Sequence, residues 1–161
     1  MKLSTGAEIL VIPSVKDILT KDQKAIWERW IVALRSGKYQ QARRDLCNAS
    51  GFSCLGVVAD LLIDGDRLQW SPMHHGSKSL LTRDNVTYVS CLPPEISRKL
   101  GIVGFGKKSL HENDFHIVTA GSENYERITL QQLNEHGVKF VEIASILEWA
   151  LEGGYVAPSE K

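Results

Sequence analysis

Between Arg35 and Leu62 the chain reads RSGKYQQARRDLCNASGFSCLGVVADLL, and two kinds of chemistry can be read in it. The first is nucleophilic. Cys54 opens an apolar run with helical spacing. A thiol at a helix N-terminus meets the positive end of the helix dipole, which lowers its pKa and favours the thiolate. His116, in DFHIVTA, is a candidate base, because nucleophile and base need only meet in space. No third polar residue can be assigned to orient that histidine. The competing expectation is a buried cysteine that only packs a helix.

The second is recognition of an anion. Arg35, Lys38, Arg43 and Arg44 are grouped with Tyr39. Arginine donates in a planar fork suited to phosphate and carboxylate, and a tyrosine ring offers a face on which a base can stack. Gly37 would let backbone N–H groups approach an anion. Trp70 and His74, with His75 and Lys78, could extend the same surface. A solvated basic loop is the plainer alternative.

Other motifs carry less. GIVGFGKKS, residues 101–109, matches a phosphate-binding P-loop at Gly101, Gly106 and Lys107, but Lys108 stands where Ser or Thr should hold magnesium. His74 and His75 are adjacent, His111 and His116 are five apart, and no cysteine pair lies nearby, so no metal site is expected. LNEHGVKFVEIASILEW is similar to the first half of a helix-turn-helix, yet no recognition helix follows. DNA is therefore not an expected partner.

The elements that must position these residues have local signatures. Residues 7–12, AEILVI, suit a short strand closed by Pro13. Thr20 and Gln23 form a capping box, so a helix should begin near Lys21. Ile26, Trp27, Trp30, Ile31 and Leu34 then give one apolar face, and Gly37 stops it. Residues 38–52 read as loop. From Ser53 a helix should bury Cys54, Leu55, Val57, Val58, Leu61 and Leu62. Residues 67–92 look irregular apart from a strand around NVTYVSC. LPPEISRKLG is a short helix with proline in its first turn. Strands are expected near GIVGF and FHIVTA. Thr129 and Gln132 make a second capping box, and Gly137 ends that helix. Phe140, Ile143, Ala144, Leu147 and Leu151 form a last helical stripe, stopped by Gly153 and Gly154.

These elements add up to an α+β chain with four or five helices and a few short strands. With 161 residues and 43% hydrophobic content, one compact domain over 1–161 is expected. Residues 1–20 read as an N-terminal extension and 156–161 as a frayed tail. Lys+Arg and Asp+Glu are equal at 19, so the overall charge directs the chain to neither nucleic acid nor an anionic membrane. Three cysteines without a C-x-x-C pair fit a reducing cytoplasm better than a disulfide framework. No apolar stretch is long enough for a membrane span, and the first residues lack the pattern of a signal peptide. No cofactor is implied. Symmetric self-association is common among proteins of this kind and is compatible with the sequence.

FSCLGVV superficially resembles the cysteine-bearing helix start of papain-like cell-wall hydrolases. A broader resemblance covers three blocks in order: WIVALRSGKYQQARRDL…GFSCLGVVADLL, CLPPEISRKLGI and ITLQQLNEHGVKFVEIASILEWAL. Together these look like a family of small phage and prophage proteins. Members typically show F-C-C-L-G-V where this chain has Ser53 before Cys54, which weakens a two-cysteine metal idea. Residues 103–127 look longer than the usual link, and the first 20 residues look added. The resemblance implies a phage origin, the host bacterial cytoplasm and an accessory role, but no reaction.

Three functions stay open on the sequence. One is non-catalytic binding of an anionic small molecule, such as a nucleotide-derived host immune signal, by Arg35, Lys38, Tyr39, Arg43, Arg44, Trp70 and His74. The second is a cysteine hydrolase or transferase using Cys54 and His116. The third is a module docking a host protein through Trp27, Trp30 and Trp149.

Overall fold

Thr20 and Thr129 start helices as their spacing predicts, and these capped helices frame the molecule. The structure, a computed structural model, describes residues 1–65, 67–102, 114–121 and 124–159. In chain order the elements are strand β1 (Ile9–Ile12), helix α1 (Lys21–Arg35), strands β2 (Cys47–Asn48) and β3 (Gly51–Phe52), and helix α2 (Cys54–Leu61). Strand β4 (Leu68–Pro72), a 3-10 turn (His74–Gly76), strands β5 (Lys78–Thr82) and β6 (Thr87–Tyr88), and helix α3 (Pro94–Leu100) follow. Strands β7 (His116–Ala120) and β8 (Tyr125–Thr129), helices α4 (Leu130–Glu135) and α5 (Phe140–Glu152), and strand β9 (Tyr155–Val156) complete it. The fold is α+β, with antiparallel strands throughout both sheets.

In α1 the Thr20 hydroxyl accepts from Gln23 N at 3.2 Å, and Gln23 Oε1 accepts from Thr20 N at 2.9 Å. The apolar face beyond this cap packs against α5, α2 and α3. Trp27 and Trp30 are fully buried there. Each indole N–H reaches a backbone carbonyl: Trp27 donates to Leu100 O at 2.8 Å and Trp30 to Cys54 O at 2.9 Å. These two tryptophans are core residues that tie α1 to α3 and α2, so they cannot anchor a partner as the docking reading required. Trp149 is partly exposed and stacks obliquely on Tyr155.

One sheet has the order β8-β7-β1-β9. Its pairing steps from Ile9↔Thr119 to Val11↔Val118, a bulge that places one extra residue on β1. Residues 9–12 thus sit inside the sheet. The second sheet runs β3-β2-β5-β4, with β6 on β5.

The structure corrects the reading of several connecting segments. Residues 38–52, read as loop, contain the β2–β3 hairpin. Residues 67–92, read as mostly irregular, contain the β4–β5 hairpin, paired from Leu68↔Thr82 to Pro72↔Lys78. Strand β8 carried no recognised signal, and Val156, placed in a frayed tail, pairs with Val11. Of the strand expected near GIVGF, Gly101 caps α3 and Ile102 is outside any strand, while residues 103–105 and the lysines of the P-loop near miss lie outside the described residues.

Among the described residues no helix is long and apolar enough to cross a membrane.

Candidate functional site around Asp60

Cys54 is the first residue of α2, behind the cap formed by Ser53, whose hydroxyl accepts from Gly56 N at 3.1 Å. The helix end was expected to depress the thiol pKa. Instead burial pushes it well above its ordinary value, and the negative charges of Asp114 and Glu135 add to the rise. The helix-end N–H groups of Leu55 and Cys54 only partly oppose this. Desolvation of a thiolate outweighs the dipole when the sulfur is fully enclosed. The Cys54 thiol donates to Leu130 O at 3.5 Å and has no exposed surface. It is held as a neutral thiol in the core rather than presented as a nucleophile.

His116 lies on β7, half-buried, at a cavity that it shares with Asp114, Phe115 and Arg127. Among the described residues, no group of three or more His, Cys, Asp or Glu side chains could hold a metal ion. His111 lies outside them.

The expected ligand residues divide into three places. Tyr39 and Trp70 are brought together by Asp60, at the end of α2. The Tyr39 hydroxyl donates to Asp60 Oδ2 at 2.6 Å, and the Trp70 indole N–H donates to Oδ1 at 2.9 Å. Phe52 stands between the two rings, edge-on to Tyr39 at 5.1 Å and to Trp70 at 6.0 Å. Burial and then the Asp60 carboxylate push the Tyr39 pKa up to about 12, so the phenol remains a donor at neutral pH. An open groove of about 630 Å³ runs past this cluster. Tyr39, Val32 and Leu61 give it apolar walls, while Lys38, Arg29 and Glu28 carry its charge. Arg29 also donates to Leu61 O at 3.3 Å, which holds its guanidinium at the α2 end of the groove.

Arg43 and Arg44 lead into the β2–β3 hairpin, but the Arg43 guanidinium lies at the turn after α4, where a Cβ at Gly137 would stand 3.0 Å from its Nη2. Asn48 Nδ2 donates to Arg43 O at 2.9 Å. The 3-10 turn carrying His74 packs on the same hairpin, so closely that a Cβ at Gly76 would meet the Ala49 Cβ at 2.9 Å. Arg44 has φ 75°, a left-handed conformation that costs a non-glycine residue about 1–2 kcal/mol. It is held there by the Glu135 carboxylate, which accepts from its N–H, and by Gln131 Nε2, which donates to its carbonyl. Arg35 leaves the expected surface altogether. It pairs with Glu148 and approaches Ser145 of α5, and so joins the α1–α5 packing.

Asp60 and Arg29 are the residues that sequence reasoning missed. Asp60 is the one acid in the otherwise apolar run CLGVVAD, which is a visible signal. Its partners lie 21 and 10 residues away, and no local pattern specifies them.

A family model described as a domain of unknown function, DUF8296, matches residues 22–151. The chain belongs to the DUF8296 family. The DUF8296 match takes in the whole Asp60 cluster, the groove and the hairpin rim, while β1 and β9 fall outside it. No curated protein and no solved structure matches the chain.

Proposed function

We propose that this chain binds an anionic small molecule without transforming it, and that the groove beside Tyr39 receives a nucleotide-derived ligand. The observation that carries this reading is the double hydrogen bond to Asp60. It fixes the Tyr39 ring beside two cations, Lys38 and Arg29, before any ligand arrives. Preorganised aromatic surface is worth about 1–3 kcal/mol per stacked base. A phosphate facing Lys38 and Arg29 would add charge-assisted hydrogen bonds. Arg43 and Arg44, outside the groove, supply further positive charge for long-range attraction.

The phage origin, the host cytoplasm and an accessory role are what the resemblance of the three sequence blocks implies; a role against host defence is drawn by analogy with what small accessory phage proteins often do. On that basis the ligand is a host immune signal that the protein sequesters.

The test is a thermal-shift panel of cyclic and ADP-ribose-type nucleotides, followed by heat release and chromatography of the bound compound. A raised melting temperature with the ligand recovered intact supports sequestration, because selective binding to the native state stabilises it. An altered ligand would mean catalysis. No shift with any nucleotide would reject the reading in favour of a protein partner.

A further inference from the structure

A second cavity lies away from the Asp60 groove, at the end of the β8-β7-β1-β9 sheet. It measures about 240 Å³ and is bounded by the segment between β1 and α1, by Gly101 and Ile102 after α3, and by the start of β7. Its walls are mostly apolar. Trp27 and Phe115 both contribute, and their rings meet edge to face at 5.5 Å and 89°. Ile18, 68% exposed, gives the cavity an apolar rim.

Among the described residues, three ionisable ones line it: Asp114, His116 and Arg127. The Asp114 carboxyl is committed to α4. Its Oδ1 accepts from Phe115 N at 2.6 Å and its Oδ2 from Gln131 N at 3.0 Å, while Leu130 N–H and the Thr129 hydroxyl also donate to it. Arg127 is different. It lies opposite Val118 on the outer face of the sheet, and its guanidinium has neither a hydrogen bond nor an ion pair among the described residues. Arg127 also lines an open recess with Glu8, Val11, Val118 and Val156, so its side chain borders both the cavity and the exposed face.

An arginine beside a small, aromatic-walled cavity is suited to one chemistry: an apolar body inside and an anionic oxygen pair outside, taken by the planar fork. We propose that this cavity binds a compact aromatic carboxylate, with the ring against Trp27 and Phe115 and the carboxylate on Arg127. The site is separate from the Asp60 groove and does not depend on the function proposed for it.

The test uses fluorophenylacetate as the probe, followed by fluorine NMR, against the full chain. Saturable binding is expected, with the uncharged fluorophenylacetamide about tenfold weaker or worse. Arg127→Gln, a change at an exposed position, should weaken the acid about tenfold and leave the amide unchanged. Ile18→Glu, also at an exposed position, should weaken the acid by adding a like charge at the rim. The proposal is overturned by an absence of saturable binding at millimolar probe, by equal affinity for acid and amide, or by an unchanged affinity in Arg127→Gln.

Discussion

The Asn134 side-chain oxygen accepts from Cys54 N at 3.1 Å, joining residues 80 apart at the point where α2 begins. The same oxygen accepts from Gln41 Nε2 at 3.0 Å, and Asn134 Nδ2 donates to Ala42 O at 2.8 Å. Gln41 continues the network, donating to Val138 O at 2.8 Å and accepting from Phe140 N at 3.1 Å. One fully buried amide therefore ties the segment before β2 to α2 and α4. Asn134→Ala would strand the Cys54 N–H and the Ala42 carbonyl, each at about 1–3 kcal/mol. Urea unfolding should show a loss of about 2–5 kcal/mol, and a loss below 1 kcal/mol would mean that water replaces the amide.

The Cys54 thiol should be inert in the native protein. Cys91, half-buried, should take up a thiol reagent first. Cys54 should react only at the rate of unfolding, as mass spectrometry of the labelled peptides can show. Rapid native labelling of Cys54 would restore the cysteine-enzyme reading.

Asp114 predicts an unusual dependence on pH. Its folded pKa is raised from 3.8 to about 7, chiefly by burial. Between those values the folded state keeps a proton that the unfolded state releases. The folded state therefore binds more protons, and stability falls as pH rises from about 4 to about 7, then levels off. Asp114→Asn removes this titration, at a pH-independent cost because its amide Nδ2 must face one of the N–H groups of Phe115 or Gln131 that the carboxyl oxygens accept. The variant should gain on the wild type, by a few kcal/mol in order of magnitude, between pH 4 and pH 8. A difference independent of pH would show that Asp114 stays charged throughout.

Gly56 lies where α2 crosses the chain before β2. A Cβ there would stand 1.8 Å from the Leu46 carbonyl oxygen, which is backbone and cannot swing aside. Gly56→Ala should destabilise by about 3 kcal/mol or more, at or beyond the top of the usual range for overpacking. A melting temperature close to that of the wild type would contradict this packing.

In the proposed nucleotide groove, Tyr39→Ala and Lys38→Glu should each weaken binding about tenfold or more by titration calorimetry. Arg43→Glu with Arg44→Glu should weaken it in a way that fades at high salt, because those cations lie outside the groove and act at a distance. Arg35→Gln should leave affinity unchanged, since Arg35 is engaged by Glu148. Equal losses from Arg35→Gln and Lys38→Glu would place the ligand elsewhere.

The sequence by itself determined where the helices start and stop and which faces they bury. The Thr20–Gln23 and Thr129–Gln132 boxes, the glycines at 37, 137 and 153, and the periodic apolar stripes are local devices, complete within a turn or two of chain. The same locality made β1 and β7 readable. It failed for β2, β3 and β9, which are two residues each and exist only because a partner strand lies beside them. Tertiary structure alone decided what the chemically suggestive residues do. Helix-end electrostatics favoured a reactive Cys54, but enclosure by α2 and α4 reversed that, because desolvation of an anion is set by everything that surrounds it. The basic run from Arg35 to Arg44 read as one surface. Packing divided it, since each cation follows the neighbour that the fold brings near: Glu148 for Arg35, the Asp60 groove for Lys38, and the turn at Gly137 for Arg43.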